Sequence, residues 1–274
     1  MNRIDALFAA LRREDRRALM PFLTAGDPDL ETTKSLIREM VARGASLIEI
    51  GLPYSDPIAD GPVIAASYTR VLKRGIKQAE ILEAVRSLRS EAGDGPLAST
   101  PLVAMGSYAL IHRQGVESFL AKAAQAGFDG LIVPDLPVEE SEPLARLAEA
   151  ANLKLIQLIT PTTPKDRALR IARSTTGFIY YVSVAGITGE RRSLPPELAE
   201  NVAWLRSQTS LPVCIGFGIG SADQVRELAN VADGLIVGSA LVRRLANAAE
   251  RPRHEVVAEI GDFIAELAAA LVTT

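Results

Sequence analysis

A chain of 274 residues can form one large domain or two ordinary ones, and 48% hydrophobic with 23% charged residues is the composition of a globular protein with a full core. A formal net charge of −3 and only 5% aromatic residues remove the electrostatic and base-stacking grounds for binding nucleic acid or an anionic membrane. The single Cys214 excludes an internal disulfide, while His112 and His254 are too far apart for metal-ligand spacing and give no support to a Cys–His nucleophilic pair.

Taken in order, Ile4, Leu7, Phe8 and Leu11 recur at helical spacing among charged residues, which predicts an amphipathic opening helix and not a signal peptide. No run approaches the roughly 18 apolar residues of a membrane span, so a cytosolic protein is expected. Ala18 to Leu23 reads as the first strand. A helix follows, with Asp27 as its cap, Pro28 at its first position, Leu30, Thr33, Ile37, Met40 and Val41 at helical period, and Gly44 as its stop.

The second strand, Leu47 to Leu52, is an apolar run suited to burial on both faces, yet it carries Glu49 in its middle. A buried carboxylate is costly unless paired or protonated, so Glu49 is either a satisfied structural acid or a tuned proton donor. The loop that follows is rich in Pro, Asp and Gly and contains a second acid, Asp60. Ile64 to Arg74 and Ala79 to Ser90 read as helices separated by Gly75, and Glu91 to Ser99 as a linker.

Further strands are expected at Pro101 to Met105, Asp129 to Val133, Leu153 to Ile159, Phe178 to Val184, Pro212 to Phe217 and Gly234 to Val237. Helical patterns lie between them: Val116 to Ala124 before Gly127, Pro137 to Ala151, a helix capped by Thr163-Pro164-Lys165-Asp166, one carrying Leu198, Val202 and Leu205, and one opened by a Ser221–Gln224 capping box. Two helices finish the chain. The phrase Asp-Gly-Leu-Ile-Val occurs at Asp129 and again at Asp233, which suggests a repeated strand–helix unit.

Eight short apolar strands, each followed by a helical pattern and with no linker of domain-boundary length, predict one (β/α)8 TIM barrel over residues 1–274, with an extra N-terminal helix. An open doubly wound sheet is the alternative, because periodicity does not show that the last strand meets the first. In such barrels the site lies at the C-terminal strand ends, and phosphate often binds after the last two strands. There Gly216-Phe217-Gly218-Ile219-Gly220 and Gly238-Ser239-Ala240 each open a helix, so they either hold an anion or simply make tight turns. The spacing is not that of a dinucleotide fingerprint. Asp135, also at a strand end, either joins the site or caps the following helix, and the cap is favoured.

With these residues in place, the chain resembles the tryptophan synthase alpha subunit family over nearly its whole length. The resemblance rests on residues 47–62 (LIEIGLPYSDPIADGP), 21–28 (PFLTAGDP), 134–141 (PDLPVEES), 185–189 (AGITG) and 216–219 (GFGI), in the same order. It implies cleavage of indole-3-glycerol phosphate to indole and glyceraldehyde 3-phosphate, with no cofactor in this subunit. By the same resemblance Glu49 is the general acid and base, and Asp60 stabilises charge at the indole N–H. Gly189, Gly218, Gly238 and Ser239 match phosphate-binding positions, and Phe22, Ile132, Tyr180, Thr188 and Phe217 match the walls of the indole and glycerol pocket, with the Thr188 segment as a closing lid.

The implied partner is a beta subunit containing pyridoxal phosphate, in an α2β2 assembly. One stretch departs from the family pattern: 105–112 reads MGSYALIH where many members have a Tyr-Asn-Pro-type sequence, in a loop that helps contact the beta subunit. Other phosphate-binding barrels, an alpha subunit that chiefly activates its partner, and a stand-alone lyase are the competing readings.

Overall fold

Each predicted strand is present in the computed structural model, which describes residues 1–57, 61–182, 196–216 and 218–272. In chain order the strands are β1 (Ala18–Thr24), β2 (Ile48–Gly51), β3 (Leu102–Met105), β4 (Gly130–Ile132), β5 (Lys154–Ile156), β6 (Leu158–Ile159), β7 (Ile179–Val182), β8 (Val213–Gly216) and β9 (Gly234–Val237). All the pairings are parallel, in the order β5-β4-β3-β2-β1-β9-β8-β7-β6.

Two observations close this sheet into a barrel. β1 pairs with β9, from Ala18 opposite Gly234 to Pro21 opposite Val237, which rules out an open sheet ending at either strand. At the other ends of the order, β5 and β6 are separated only by Gln157 and form one interrupted stave. Its β5 half pairs with β4 and its β6 half with β7, and Tyr180 N donates to Gln157 O at 3.1 Å across the junction. The single strand predicted from Leu153 to Ile159 is therefore one stave with a break at Gln157.

Both faces of the staves are apolar, and residue parity divides them between two cores. Met20, Phe22, Val103, Ile132, Ile156 and Cys214 point into the barrel, while Leu19, Leu23, Ile48, Leu131, Leu155 and Ile215 pack outward against the helices. The N-terminal helix Arg3–Arg13 plugs the lower mouth: Ile4, Phe8 and Leu11 are buried, and the Phe8 ring lies 5.7 Å from Phe178. Each such side chain contributes about 1.5–3 kcal/mol on burial. Asn2 secures the plug, its side-chain amide donating to Asp129 O at 2.9 Å and Asn152 O at 2.8 Å, and its Oδ1 accepting from Ile4 N.

Local details depart from expectation where a side chain finds a distant partner. Asp27 does not cap the second helix. That helix begins at Leu30 with Asp29 as its cap, accepting from Thr32 N at 2.6 Å. Asp27 is instead buried and bound by Arg70 through two bonds of 3.1 and 2.6 Å. Thr163 likewise gives its hydroxyl to a turn, accepting from Thr160 N, and the helix Lys165–Ser174 starts at Pro164 without a side-chain cap. Ser221 caps its helix, its Oγ accepting from Gln224 N at 3.4 Å, but the reciprocal half of the box is replaced: Gln224 Oε1 accepts from Gly220 N at 2.8 Å. Two short helices, Pro96–Ser99 and Tyr108–Arg113, lie in stretches read as linker and loop, too short to show a period. No described helix is long and apolar enough to cross a membrane.

Candidate active site

Glu49 is 1% exposed and sits mid-strand in β2, opposite Phe22 of β1 and Val103 of β3, on the inward parity of the barrel. Above it, at the C-terminal strand ends, is a cavity of about 370 Å³. Phe22, Ile64, Met105, Ile132, Leu158 and Tyr180 form apolar walls, Glu49 contributes a carboxylate, and Gly218, Gly238 and Ser239 lie on the side of the last two strands. An apolar slot with a few convergent polar groups is the usual form of a small-molecule site.

Glycines shape this cavity in different ways. Gly216 faces inward on β8, and a Cβ there would lie 2.5 Å from Tyr180 Cε1 and 2.6 Å from Cζ, so the missing side chain is the space in which the Tyr180 ring rests. Gly218 has φ of 79°, a left-handed conformation that glycine adopts without strain. Gly238 opens the short helix Ser239–Arg244 and approaches Phe22, whose Cβ would be 3.7 Å from an added methyl group. Backbone is thereby brought to the cavity edge at two successive strand-to-helix turns, where N–H groups favour an anion.

Asp135 belongs neither to the cavity lining nor to the cap of the helix after it. Its carboxylate accepts from Ser107 Oγ at 2.7 Å and Tyr108 N at 2.8 Å, so it braces the start of the Tyr108–Arg113 helix of the preceding unit, whose N-cap is Ser107. The helix Val138–Ala150 begins at Pro137 with no side-chain cap. The unusual stretch after β3 is thus tied to the loop after β4. Cys214 is fully buried in the barrel interior, and burial, with Asp233 adding to it, pushes its thiol well above the ordinary range, the opposite of an activated nucleophile. Among the described residues there is no cluster of His, Cys, Asp and Glu suited to a metal ion.

The family model for the tryptophan synthase alpha chain matches residues 8–271. The chain belongs to the tryptophan synthase alpha chain family. A tryptophan synthase alpha chain of Rhodopirellula baltica is 50% identical over 279 residues, covering 99% of each chain, and one of Prochlorococcus marinus is 44% identical, covering 97% of this chain and 96% of that one. Among solved structures, the tryptophan synthase alpha subunit of Legionella pneumophila superposes with a TM-score of 0.89 at 35% identity, covering 100% of both chains. A chain from the tryptophan synthase α2β2 complex of Pyrococcus furiosus gives 0.83 at 36% identity, covering 93% of this chain and 98% of that chain.

Within this alpha-chain barrel, Glu49, Phe22, Ile132, Tyr180, Gly218, Gly238 and Ser239 are brought together around one cavity. Asp60, Thr188, Gly189 and Phe217 lie outside the described residues. Gly61, Ile64, Met105, Pro134, Leu158, Thr160 and Val182 also line the cavity and were missed. For those on or just beyond the strands, parity was the available signal. Counting by twos from Glu49 through the register reaches Gly51 and its partner Met105, and counting from Tyr180 reaches Val182 and the partner Leu158.

Proposed function

We infer that this chain catalyses the alpha reaction of tryptophan synthase, the reverse aldol cleavage of indole-3-glycerol phosphate to indole and glyceraldehyde 3-phosphate. The observation that carries the reading is one buried carboxylate, Glu49, at a cavity with apolar walls on one side and two glycine turns on the other. An indole ring fits the apolar slot, and the phosphate fits the turns at Gly218 and Gly238-Ser239. Glu49 then meets the bond between ring and glycerol chain.

The chemistry needs one proton delivered and one removed. Protonation of indole C3 makes the ring an electron sink. Loss of the proton from the neighbouring glycerol hydroxyl forms the aldehyde as the carbon–carbon bond breaks and its electrons enter the ring. Glu49 serves both steps, and its burial suits a carboxyl group that must exist in both protonation states. Asp60 stabilises the positive charge that develops at the indole N–H. Gly189 joins the phosphate site, and Thr188 and Phe217 complete the pocket, with the Thr188 segment closing it against water.

Acid, base and anion binding suffice for this reaction, so no cofactor is required of this chain. Indole passes to a beta subunit that carries pyridoxal phosphate, in an α2β2 assembly. The Tyr108–Arg113 rim, tied to Asp135, is part of the face that meets it.

Glu49→Gln tests the assignment. The variant keeps its affinity for glycerol 3-phosphate while indole formation falls by at least about 10²-fold, the lower end for acid–base catalysis. Near-parental turnover overturns it. Adding the beta subunit to the parent chain raises indole-derived flux if the two are coupled, and leaves it unchanged if the chain acts alone.

A further inference from the structure

The helix Pro62–Lys73 is additional to the outer ring of the barrel. β2 is followed by two helices, and the second of them, Gln78–Ser90, joins that ring: its Ile81, Val85 and Leu88 belong to the same apolar cluster as Leu36 and Met40. The first instead turns Ile64 and Tyr68 to the interior cluster of Phe22 and Val103. Its start supplies Gly61 and Ile64 to the wall of the cavity that holds Glu49, so it lies over the C-terminal mouth.

Two polar links fasten this helix to the end of β1. Ser67 Oγ donates its one proton to Ile64 O at 2.6 Å, so the 2.6 Å hydrogen bond between the Ser67 and Thr24 hydroxyls is donated by Thr24. Both residues are buried. One turn further on, Arg70 grips Asp27 with two guanidinium nitrogens, at 3.1 and 2.6 Å. Beside Asp27, Gly26 has φ of 87° and brings loop backbone against the helix, where an added Cβ would lie 3.0 Å from Val71 Cγ1.

Ser67 stands midway between the cavity wall and the ion pair. Ile64 is three residues before it and Arg70 three residues after, so the helix is pinned near its centre with one functional group on each arm. The side chain of Asp27 is 3% exposed and that of Arg70 31%. Removing the cation therefore leaves a buried carboxylate uncompensated, and the strain is relieved when the Arg70 end of the helix lifts and admits water. A rigid helix pinned at Ser67 then shifts Ile64, about 9 Å away along the axis, in the opposite sense.

We propose that Arg70 is a positioning residue for the cleavage: through Asp27 it sets the seat of the helix, and through that seat it holds the Gly61 and Ile64 wall against the substrate. The proposal rests on the reading of this cavity as the site of indole-3-glycerol phosphate cleavage, and the two fail separately. In Arg70→Gln, assayed well below its melting temperature, kcat for indole formation falls about tenfold or more, because a small misplacement in a site has large kinetic effects. Affinity for glycerol 3-phosphate, measured by calorimetry, stays at the parental value, since the turns at Gly218 and Gly238 follow other strands. Asp27→Asn removes the tether without leaving a buried charge, gives the same split, and decides the matter if Arg70→Gln does not fold. Parental kcat in either folded variant overturns the proposal, as does a loss of kcat matched by an equal loss of glycerol 3-phosphate affinity. An inactive Glu49→Gln beside a parental Arg70→Gln removes the positioning role alone. Near-parental Glu49→Gln removes the reading of the cavity as well.

Discussion

Asp129 and Asp233 hold equivalent places in two strand–helix units. Each carboxylate accepts the backbone N–H that opens the neighbouring strand, Leu102 at 2.9 Å for Asp129 and Val213 at 2.8 Å for Asp233. Each is also paired with an arginine from a helix earlier in the chain than that strand, Arg89 of Gln78–Ser90 at 2.8 Å and Arg206 of Pro196–Gln208 at 2.9 Å. The repeated Asp-Gly-Leu-Ile-Val phrase therefore marks a repeated joint at the base of the barrel.

The two joints differ in burial, so their loss has different consequences. The side chain of Asp129 is 4% exposed and also binds Arg3, whereas that of Asp233 is 22% exposed. Burial lowers the Arg89 pKa to about 10, which Asp129 opposes, so without the carboxylate a buried cation stands uncompensated. Asp129→Ala is expected to cost about 3–5 kcal/mol, the range for breaking a buried pair, and Asp233→Ala about 1–2 kcal/mol. Equilibrium unfolding in urea measures both. Equal losses would show that burial does not set the difference.

Gly216→Ala acts on the cavity through Tyr180. An added methyl group occupies space now held by the ring, so Tyr180 must leave its wall. The expected result is a fall of at least about tenfold in kcat/KM, since a small misplacement in a site has large kinetic effects. Steady-state kinetics give the rate and a crystal structure of the variant the ring position. An unmoved ring with parental kinetics would refute the argument.

Cys214 gives the fold a defined sensitivity to alkaline pH. Its thiol in the folded chain titrates well above the ordinary value of 9.0, chiefly through burial. An acid whose pKa is raised by folding contributes stability in full below the unfolded value and loses it as pH rises through that value toward the folded one. The unfolding midpoint is therefore expected to fall above about pH 9, with Tyr181, raised by burial from 10.0, adding to the fall at higher pH. In Cys214→Ala the fall begins later, and in the parent a thiol reagent reacts only as fast as the chain opens. Rapid labelling of native protein would contradict the buried assignment.

How far these features were legible in the sequence depended on where each residue finds its partner. Glu49 stood out because a charge inside an apolar run is conspicuous without any knowledge of its neighbours. The glycine turns after the last strands were equally plain. Asp27, Asp135 and Thr163 were misassigned because a local rule placed each in a nearby cap, whereas Arg70 claims Asp27 from another helix and the Ser107–Tyr108 turn claims Asp135 from another unit. Met105, Leu158 and Val182 escaped notice because strands buried on both faces carry no polar alternation to mark the inner side.

By itself the sequence determined the succession of strand and helix units and the presence of an acid in the second strand, since hydrophobic period and turn residues are local properties. Tertiary structure decided that β1 meets β9, that β5 and β6 make one stave, and that Glu49 faces the same cavity as Gly218 and Ser239. The physical reason is that strands are joined by backbone hydrogen bonds, which are the same for every residue type except proline. Which strands meet, and in what register, is settled by how the whole ring of side chains packs.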